Sequence, residues 1–297
     1  MLKISLIIIV ILASLVMRFS ALGECPDLEH DESLICSGAR SIYQAQHFPL
    51  TGDKVYEGPL LEYLLAAWMF FAGQSLTALR LFMALMGILS VFLIYHVAMA
   101  AKDRTMAWSA VCLILISPWH MSASRVLYAC NLSIVFIPCT LLFLFKFLNN
   151  SKTRYLALAG LSLGLTANGR FTAYFLLPVI LVYLFRKAKL RQLLWFTISA
   201  LIPSLPVILY NTMHQWPATR ILLGSGQGHF STSLVSIPTR ITAFSYSLFL
   251  VLTGERFWVD VQMDELITRV VILSCIALLI VLNTRARSIR AGRITPV

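Results

Sequence analysis

The chain has 297 residues, of which 59% are hydrophobic and 12% are charged, and its mean hydropathy is +0.81. Soluble domains carry roughly 25% charged residues, so this composition excludes an ordinary soluble domain and indicates a multi-pass membrane protein. The formal net charge of +11 does not indicate nucleic-acid binding, because the basic residues lie in short clusters between apolar runs, as they do in the cytoplasmic loops of membrane proteins.

Apolar runs that can cross a bilayer, about 20 residues each, recur along the chain. We predict eight spans, at 4–22, 76–101, 105–121, 131–148, 155–169, 171–185, 192–210 and 267–284. The first run ends at Arg18 without a small-residue cleavage site, which favours an uncleaved helix over a signal peptide. Gly160 and Gly164 in the fifth run predict close helix packing. The predicted fold class is all-α, one polytopic helix bundle over 1–297.

The basic residues predict the orientation of this bundle. They concentrate in the connections 102–104, 146–154, 186–191 and 285–293. The positive-inside rule places these connections and both termini in the cytoplasm, and we expect a bacterial inner-membrane protein. The long connections, 23–75 and 211–266, then lie outside the cell. We predict an interfacial helix over 58–73 in the first of them and name 241–254 as a candidate for a second.

The acidic residues lie almost entirely in these two outer loops. Of 13 Asp and Glu residues, eight lie between Glu24 and Glu62, four lie between Glu255 and Glu265, and Asp103 alone falls on the inner side. Acidic residues contribute little to orientation, so this asymmetry indicates outer loops with a function. The densest stretch is the predicted loop "CPDLEHDESLIC" (25–36), whose two cysteines are candidates for a disulfide in an oxidising compartment.

Three arginines lie at predicted outer helix ends: Arg80, Arg125 and Arg170. A single arginine at such a position is most simply one that snorkels to the lipid headgroups. Three of them close to an acidic loop allow a different interpretation. Arginine binds phosphate through two parallel hydrogen bonds, and a carboxylate beside the phosphate can act as a general base. The ligand of such a site would be a lipid phosphate or diphosphate at the outer leaflet.

Four segments, in order along residues 10 to 185, resemble the GT-C glycosyltransferases. The closest resemblance is to the protein mannosyltransferases and lipid A aminoarabinose transferases. The segments are "RFSALG" (18–23) with "HDES" (30–33), the stretch 56–87, "SPWHMSASR" (117–125) and "GLTANGRFTAYFLLP" (164–178). The sequence departs from the family pattern at Gly58-Pro59, where relatives carry Pro-Pro; the lysine that some relatives place beside that pair is absent, with Lys54 nearby instead.

The resemblance implies a set of site residues. Asp31 would be the catalytic base, and Glu32 would orient the acceptor or Asp31. Arg125 and Arg170, with Arg80, would bind the departing phosphate. The reaction would invert the anomeric configuration. No cofactor is required, although some GT-C members use a divalent metal. The candidate acceptor or metal contacts are His30, Glu57 and His120.

These observations predict a membrane glycosyltransferase of the hexosyl- or pentosyltransferase class. It would take a sugar from a polyprenyl-phosphate carrier at the extracytoplasmic face and pass it to a glycan, lipid or protein acceptor. One alternative is a non-catalytic membrane subunit with the same fold. A transporter or flippase of lipid-linked sugars is less favoured, because transporters tend to carry charge near the midplane and to show repeated halves, whereas these spans are nearly free of charge.

Overall fold

The computed structural model describes residues 2–52, 54–101 and 104–218, with side chains from residue 11 onward. The chain divides into two units, 1–231 and 232–297, and the second lies outside the described residues. The described part contains helices and no strand. The α-helices are α1 (Leu2–Phe19), α2 (His30–Tyr43), α3 (Leu60–Ala72), α4 (Leu76–Ala100), α5 (Arg104–Ile116), α6 (Pro118–Ala123), α7 (Ser133–Asn150), α8 (Thr153–Gly169), α9 (Leu176–Leu184), α10 (Leu190–Leu201) and α11 (Leu205–Met213). Short 3-10 turns cover Ala129–Leu132, Phe171–Phe175 and Ile202–Ser204.

Helices occupy seven of the eight predicted spans, and the eighth (267–284) lies outside the described residues, as does 241–254. Three helical stretches are long and apolar enough to cross a membrane: Leu76–Ala100, Ala129–Asn150 and Leu190–Met213. The count of eight spans stays a prediction. The predicted span 105–121 is not one helix, because α5 ends at Ile116 and Pro118 starts α6. Proline lacks the N–H that would continue α5 and suits the first turn of a new helix.

The prediction that the acidic stretch 25–36 forms a loop is wrong for its second half. Its second half forms the start of α2. The buried apolar residues Ile35, Cys36, Ala39 and Ile42 recur at the spacing that places side chains on one face of a helix, and that face packs against α3. The first outer loop therefore contains two helices, α2 and α3, rather than one.

The two largest apolar cores hold most of the described helices together. In the first core, α2, α3 and α4 surround the 3-10 turn Ala129–Leu132 through buried residues such as Leu65, Met83 and Leu127. In the second core, α7, α8, α9 and α10 pack around Phe147, Leu163 and Phe196. The predicted close packing at the two glycines of α8 is confirmed. A Cβ at Gly160 would overlap the Phe196 carbonyl, and one at Gly164 would overlap the Ala200 carbonyl, so α8 approaches the α10 backbone directly.

Different connections meet at the two ends of the helix bundle. At one end, which we call the α2–α3 end, the segment before α3 bonds to the last turn of α8 and to α11. At the opposite end, Asn149 bonds to the Ala100 carbonyl at 3.4 Å, and Gln192 bonds to the Ser151 carbonyl at 3.2 Å. The basic connection 146–154 lies at this opposite end, as predicted. Which end faces the cytoplasm stays a prediction.

Candidate functional site

Asp31 and Lys54 form an ion pair at the α2–α3 end. Asp31 lies in the first turn of α2, and its Oδ2 accepts a hydrogen bond from Lys54 Nζ at 3.2 Å. The Asp31 side chain is 47% exposed and that of Lys54 is 40% exposed. The carboxylate proposed as a base is therefore accessible to a ligand outside the bundle.

Lys54 belongs to a tight turn, described at Gly52 and over residues 54–58, which we call the charged segment. Gly52 N donates to the Glu57 carbonyl at 2.9 Å, and Glu57 N donates to the Lys54 carbonyl at 2.8 Å. Burial acts to lower the pKa of Lys54, but the negative charges of Glu57 and Asp31, together with Tyr56, outweigh it and raise the pKa above 10.5. Lys54 is thus a cation at neutral pH, paired with the Asp31 carboxylate and within the electrostatic reach of Glu57.

Arg170 approaches the other side of the charged segment. It follows α8 directly and is exposed. Its positive charge acts on the Cys130 thiol, which also lies within the electrostatic reach of Glu57. Next to Arg170, the Phe171 ring meets the Tyr56 ring edge-on with centroids 5.6 Å apart. The Asp31–Lys54 ion pair, the charge of Glu57 that acts on Lys54 and the charges of Arg170 and Glu57 that both act on Cys130 bring four residues near one another. We call Asp31, Lys54, Glu57 and Arg170 the charged cluster.

Glu32 and Arg80 form a fully buried ion pair. Arg80 Nε donates to Glu32 Oε1 at 2.8 Å and Nη2 donates to Oε2 at 2.5 Å. The remaining N–H groups of Arg80 reach the carbonyls of Leu22, Pro26 and Asp27. Since arginine has five N–H donors, Arg80 has none left for a donor phosphate, contrary to the role that the sequence suggested. Glu32 Oε1 also accepts from Leu127 N at 3.2 Å, so this pair fixes the start of α2 against the turn before α7.

Arg125 is also occupied by the protein itself. It is 8% exposed, and its guanidinium donates to the carbonyls of Met17, Ser20 and Cys25. Burial lowers the pKa of Arg125, the nearby Cys25 opposes this change, and the positive charge of Arg80 adds to it. Carbonyls at the C-terminal end of a helix lack partners within the helix, and a cation stabilises that end of the helix dipole. Arg125 therefore caps α1 and holds the connection to α2.

His120 lies in a buried network away from the charged cluster. Arg18 Nη2 lies 2.9 Å from His120 Nδ1, and Ser90 Oγ lies 2.6 Å from His120 Nε2. Ser90 Oγ donates to the Gly87 carbonyl. Because arginine can only donate, Nδ1 is the acceptor, Nε2 carries the proton, and the imidazole is neutral. His120 is only 2% exposed, so it does not take part in a site with Asp31.

The network adjoins an apolar cavity of about 470 Å³ between α1, α4 and α5. Arg18 lies at one end of its lining, and Tyr95 and Trp108 lie towards the other. The side chains of the charged cluster do not line this cavity. It is therefore separate from the candidate site.

The remaining metal candidates are His30 and Glu57. His30 is exposed and directly precedes Asp31. In the part of the chain that the structure describes, no three His, Cys, Asp or Glu side chains converge as metal ligands. His30 and Glu57 stay candidates for contacts with an acceptor.

Cys25 and Cys36 are free thiols in the structure. Cys25 is exposed, whereas Cys36 packs into the first core. Burial raises the pKa of the Cys36 thiol to about 11, and the negative charge of Glu32 acts in the same direction. The Cys36 thiol therefore stays protonated and poorly reactive at neutral pH.

The sequence profile of the dolichyl-phosphate-mannose-protein mannosyltransferase family matches residues 56–211 of the chain. This range is about half of the chain, and it contains the helices and turns that carry Arg80, Arg125 and Arg170. The chain belongs to this family. The match begins after Asp31 and Glu32, so it does not itself cover the start of α2. Comparison with curated protein sequences returns no match.

The fold of this mannosyltransferase-family chain is similar to that of ArnT from Cupriavidus metallidurans in its apo state. The TM-score is 0.58 at 15% identity over 87% of this chain and 51% of ArnT, so the chain spans about half of the ArnT length. The archaeal oligosaccharyltransferase AglB from Archaeoglobus fulgidus, solved with an inhibitory peptide and a dolichol-phosphate, gives a TM-score of 0.48 at 19% identity over 95% of this chain and 37% of AglB. The predicted membership of the GT-C glycosyltransferases is confirmed by the family match, and the ArnT comparison agrees with the fold.

Lys54 and Asn168 are absent from the site residues predicted from the sequence, although Asn168 bonds to the charged segment and to the start of α3. Arg40 and Lys54 are the only Arg and Lys residues between Glu24 and Glu62, and a lysine within so acidic a stretch indicates that it has carboxylate partners. Asn168 gave no comparable signal, because its partners are main-chain groups of Gly58, Leu60 and Pro203, all distant from it along the chain.

Proposed function

We propose that this chain is a membrane glycosyltransferase that takes a sugar from a polyprenyl-phosphate carrier at the extracytoplasmic face. The eight predicted spans and the cytoplasmic position of both termini belong to this proposal. The observation that carries it is the charged cluster, in which the accessible carboxylate of Asp31 lies 3.2 Å from the Lys54 ammonium on the fold of a mannosyltransferase family. The family description names a dolichyl-phosphate-linked mannose as donor, which supports a donor of the same chemical class here.

Asp31 would act as the general base. The acceptor hydroxyl or amine attacks the anomeric carbon and passes its proton to Asp31. The bond between that carbon and the phosphate oxygen breaks, and the polyprenyl phosphate leaves with the electron pair. Attack from the face opposite the phosphate inverts the anomeric configuration. General base catalysis of this kind contributes about 10²–10⁴-fold to the rate.

Lys54 and Arg170 would stabilise the departing phosphate. They are the cations of the charged cluster, and both are accessible, whereas Arg80 and Arg125 are buried among carbonyls and Glu32. Cations placed in advance where charge develops stabilise a transition state by several kcal/mol. Glu57 would contact the acceptor. Arg80, Glu32 and Arg125 would support Asp31 by holding α1 and α2.

The test is transfer by the purified chain in lipid nanodiscs, from polyprenyl-phosphate donors carrying hexoses or pentoses, with Asp31→Asn as the decisive variant. We expect turnover to fall about 10²–10⁴-fold in Asp31→Asn with little change in thermal stability, because the carboxylate is half exposed. Asp27→Asn is the matched control, since Asp27 is an exposed acid in the same connection. Full activity in Asp31→Asn would contradict the mechanism, and a wild-type chain inactive with every donor would favour a non-catalytic subunit.

A further inference from the structure

Asn168 connects three parts of the chain that meet at the α2–α3 end. Its backbone carbonyl accepts from Gly58 N at 2.6 Å. Its side-chain Oδ1 accepts from Leu60 N at 3.1 Å, and its Nδ2 donates to the Pro203 carbonyl at 2.9 Å. The donor and acceptor partners fix the orientation of the amide without ambiguity. One residue thus joins the end of the charged segment, the start of α3 and the turn between α10 and α11.

The contact between Asn168 and the charged segment leaves no spare room. Asn168 is 5% exposed. A Cβ at Gly58 would overlap the Asn168 side-chain amide, and a Cβ at the neighbouring Gly169 would overlap the Ala129 carbonyl. The end of α8 is therefore wedged between the charged segment on one side and the turn that carries Cys130 on the other. Small shifts of Asn168 have to move the charged segment as well.

The charged segment is also held on its other side. Asn211 Nδ2 donates to the Val55 carbonyl at 3.0 Å, so two asparagines from different helices grip the backbone on either side of Tyr56 and Glu57. The Tyr56 ring also contacts the ring of Phe171, the residue after Arg170. Asn168 lies two residues before Arg170, and its partner Gly58 directly follows Glu57.

We propose that Asn168 is a positioning residue that sets the separation between Arg170 and two charged side chains of the segment, Lys54 and Glu57. This inference deepens the proposed transferase function and rests on it. Two cations can act on one departing phosphate only if the distance between them matches the size of the phosphate. Lys54 and Arg170 are separated by more than 100 residues along the chain, so contacts between their segments have to fix that distance. Asn168, at the end of α8 that leads to Arg170, bonds directly to Gly58 of the charged segment.

The variant Asn168→Ala removes the bonds to Leu60 N and Pro203 while it leaves the backbone bond to Gly58. We expect kcat to fall on the order of 10²-fold, since displacement of a catalytic group by about 1 Å can cost that much. We expect the donor KM to change much less, because the charges themselves remain. Amide exchange in residues 52–60 should become faster. Thr166→Val is the matched control: Thr166 is a buried polar residue two positions earlier whose hydroxyl bonds only within α8, to the Ser162 carbonyl at 3.0 Å.

A kcat in Asn168→Ala within threefold of that in Thr166→Val, or unchanged amide exchange over 52–60, would overturn the inference. If Asn168→Ala folds poorly, Asn168→Asp replaces it, because the aspartate keeps an acceptor for Leu60 N and loses the donor to Pro203. We then expect kcat to fall as well, but by less than in Asn168→Ala. An inactive wild-type chain would contradict the proposed function instead, and amide exchange over 52–60 would still show whether Asn168 holds the segment in place.

Discussion

Arg80 and Arg125 differ from Arg170 and Lys54 in what surrounds them, although all four cations lie at the same end of the bundle. Arg80 is fully buried and Arg125 is 8% exposed, and both direct their donors at carbonyls or at Glu32. Arg170 is exposed, and 40% of the Lys54 side chain is exposed. A cation whose donors are all satisfied inside the protein contributes to folding, whereas an accessible one is available to a ligand. Residue type and position along a span do not distinguish these two cases.

The comparison is tested most severely by breaking the buried pair. We expect Arg80→Ala to destabilise the fold by about 3–5 kcal/mol, because it leaves the Glu32 carboxylate buried without its charge partner. Thermal unfolding of the purified chain in detergent would measure this loss. Arg170→Ala, which removes an exposed arginine at the same end, should leave the unfolding midpoint nearly unchanged.

A double replacement separates the pair from its surroundings. Replacing both partners of a buried ion pair by apolar residues is often less harmful than removing one, so Glu32→Leu with Arg80→Leu should unfold at a higher temperature than Arg80→Ala alone. An unfolding midpoint for Arg80→Ala equal to that of the wild type would contradict the structural role of the pair.

The positions of the helices were predictable because long apolar runs, which form membrane helices, can be located directly in the sequence. The partner of Arg80 was not, since Glu32 lies 48 residues away and only the folded chain brings the two together. The sequence nevertheless carried a partial signal. Glu32 shares a helical face with Ile35, Cys36 and Ala39, and an acid on an apolar face requires a buried partner. Reading 25–36 as a loop concealed that periodicity.

Arg125 provides the next test of the same comparison. Arg125→Ala should lower the free energy of unfolding by about 1.5–3 kcal/mol, the range for hydrogen bonds that involve a charged group, because the carbonyls of Met17, Ser20 and Cys25 lose their donor. Arg125→Lys is the sharper variant. It keeps the charge but not the planar fork, so it should recover only part of the loss. An unaltered unfolding curve together with a raised donor KM would instead return Arg125 to the phosphate site.

The candidate site was only partly predictable. Asp31 and Arg170 are accessible and lie at the same end of the bundle as Lys54 and Glu57, and three of these four residues were predicted from the sequence. His120 could not be placed from the sequence, because its partners Arg18 and Ser90 come from two other helices. Sequence order shows which side chains are available at one end of a bundle, while burial decides which of them face solvent.

The smallest effect on stability is expected for Lys54→Met. Exposed ion pairs contribute about 0–1 kcal/mol, and both partners here are accessible. The pKa of Lys54 is raised above its ordinary value of 10.5, so its contribution is fully present below pH 10.5 and is lost as the pH rises through the raised value. The difference in unfolding midpoint between the wild type and Lys54→Met should therefore be small and constant from pH 7 to about pH 10, and it should disappear only as the pH rises through the raised pKa of Lys54, above 10.5. The donor KM should rise about tenfold, since loss of a charged contact weakens binding by about 1.4 kcal/mol or more. The control Lys152→Met, at the opposite end of the bundle, should change neither the unfolding midpoint nor the donor KM. A Lys54→Met variant that unfolds as readily as Arg80→Ala would contradict the distinction between the buried and the accessible cations.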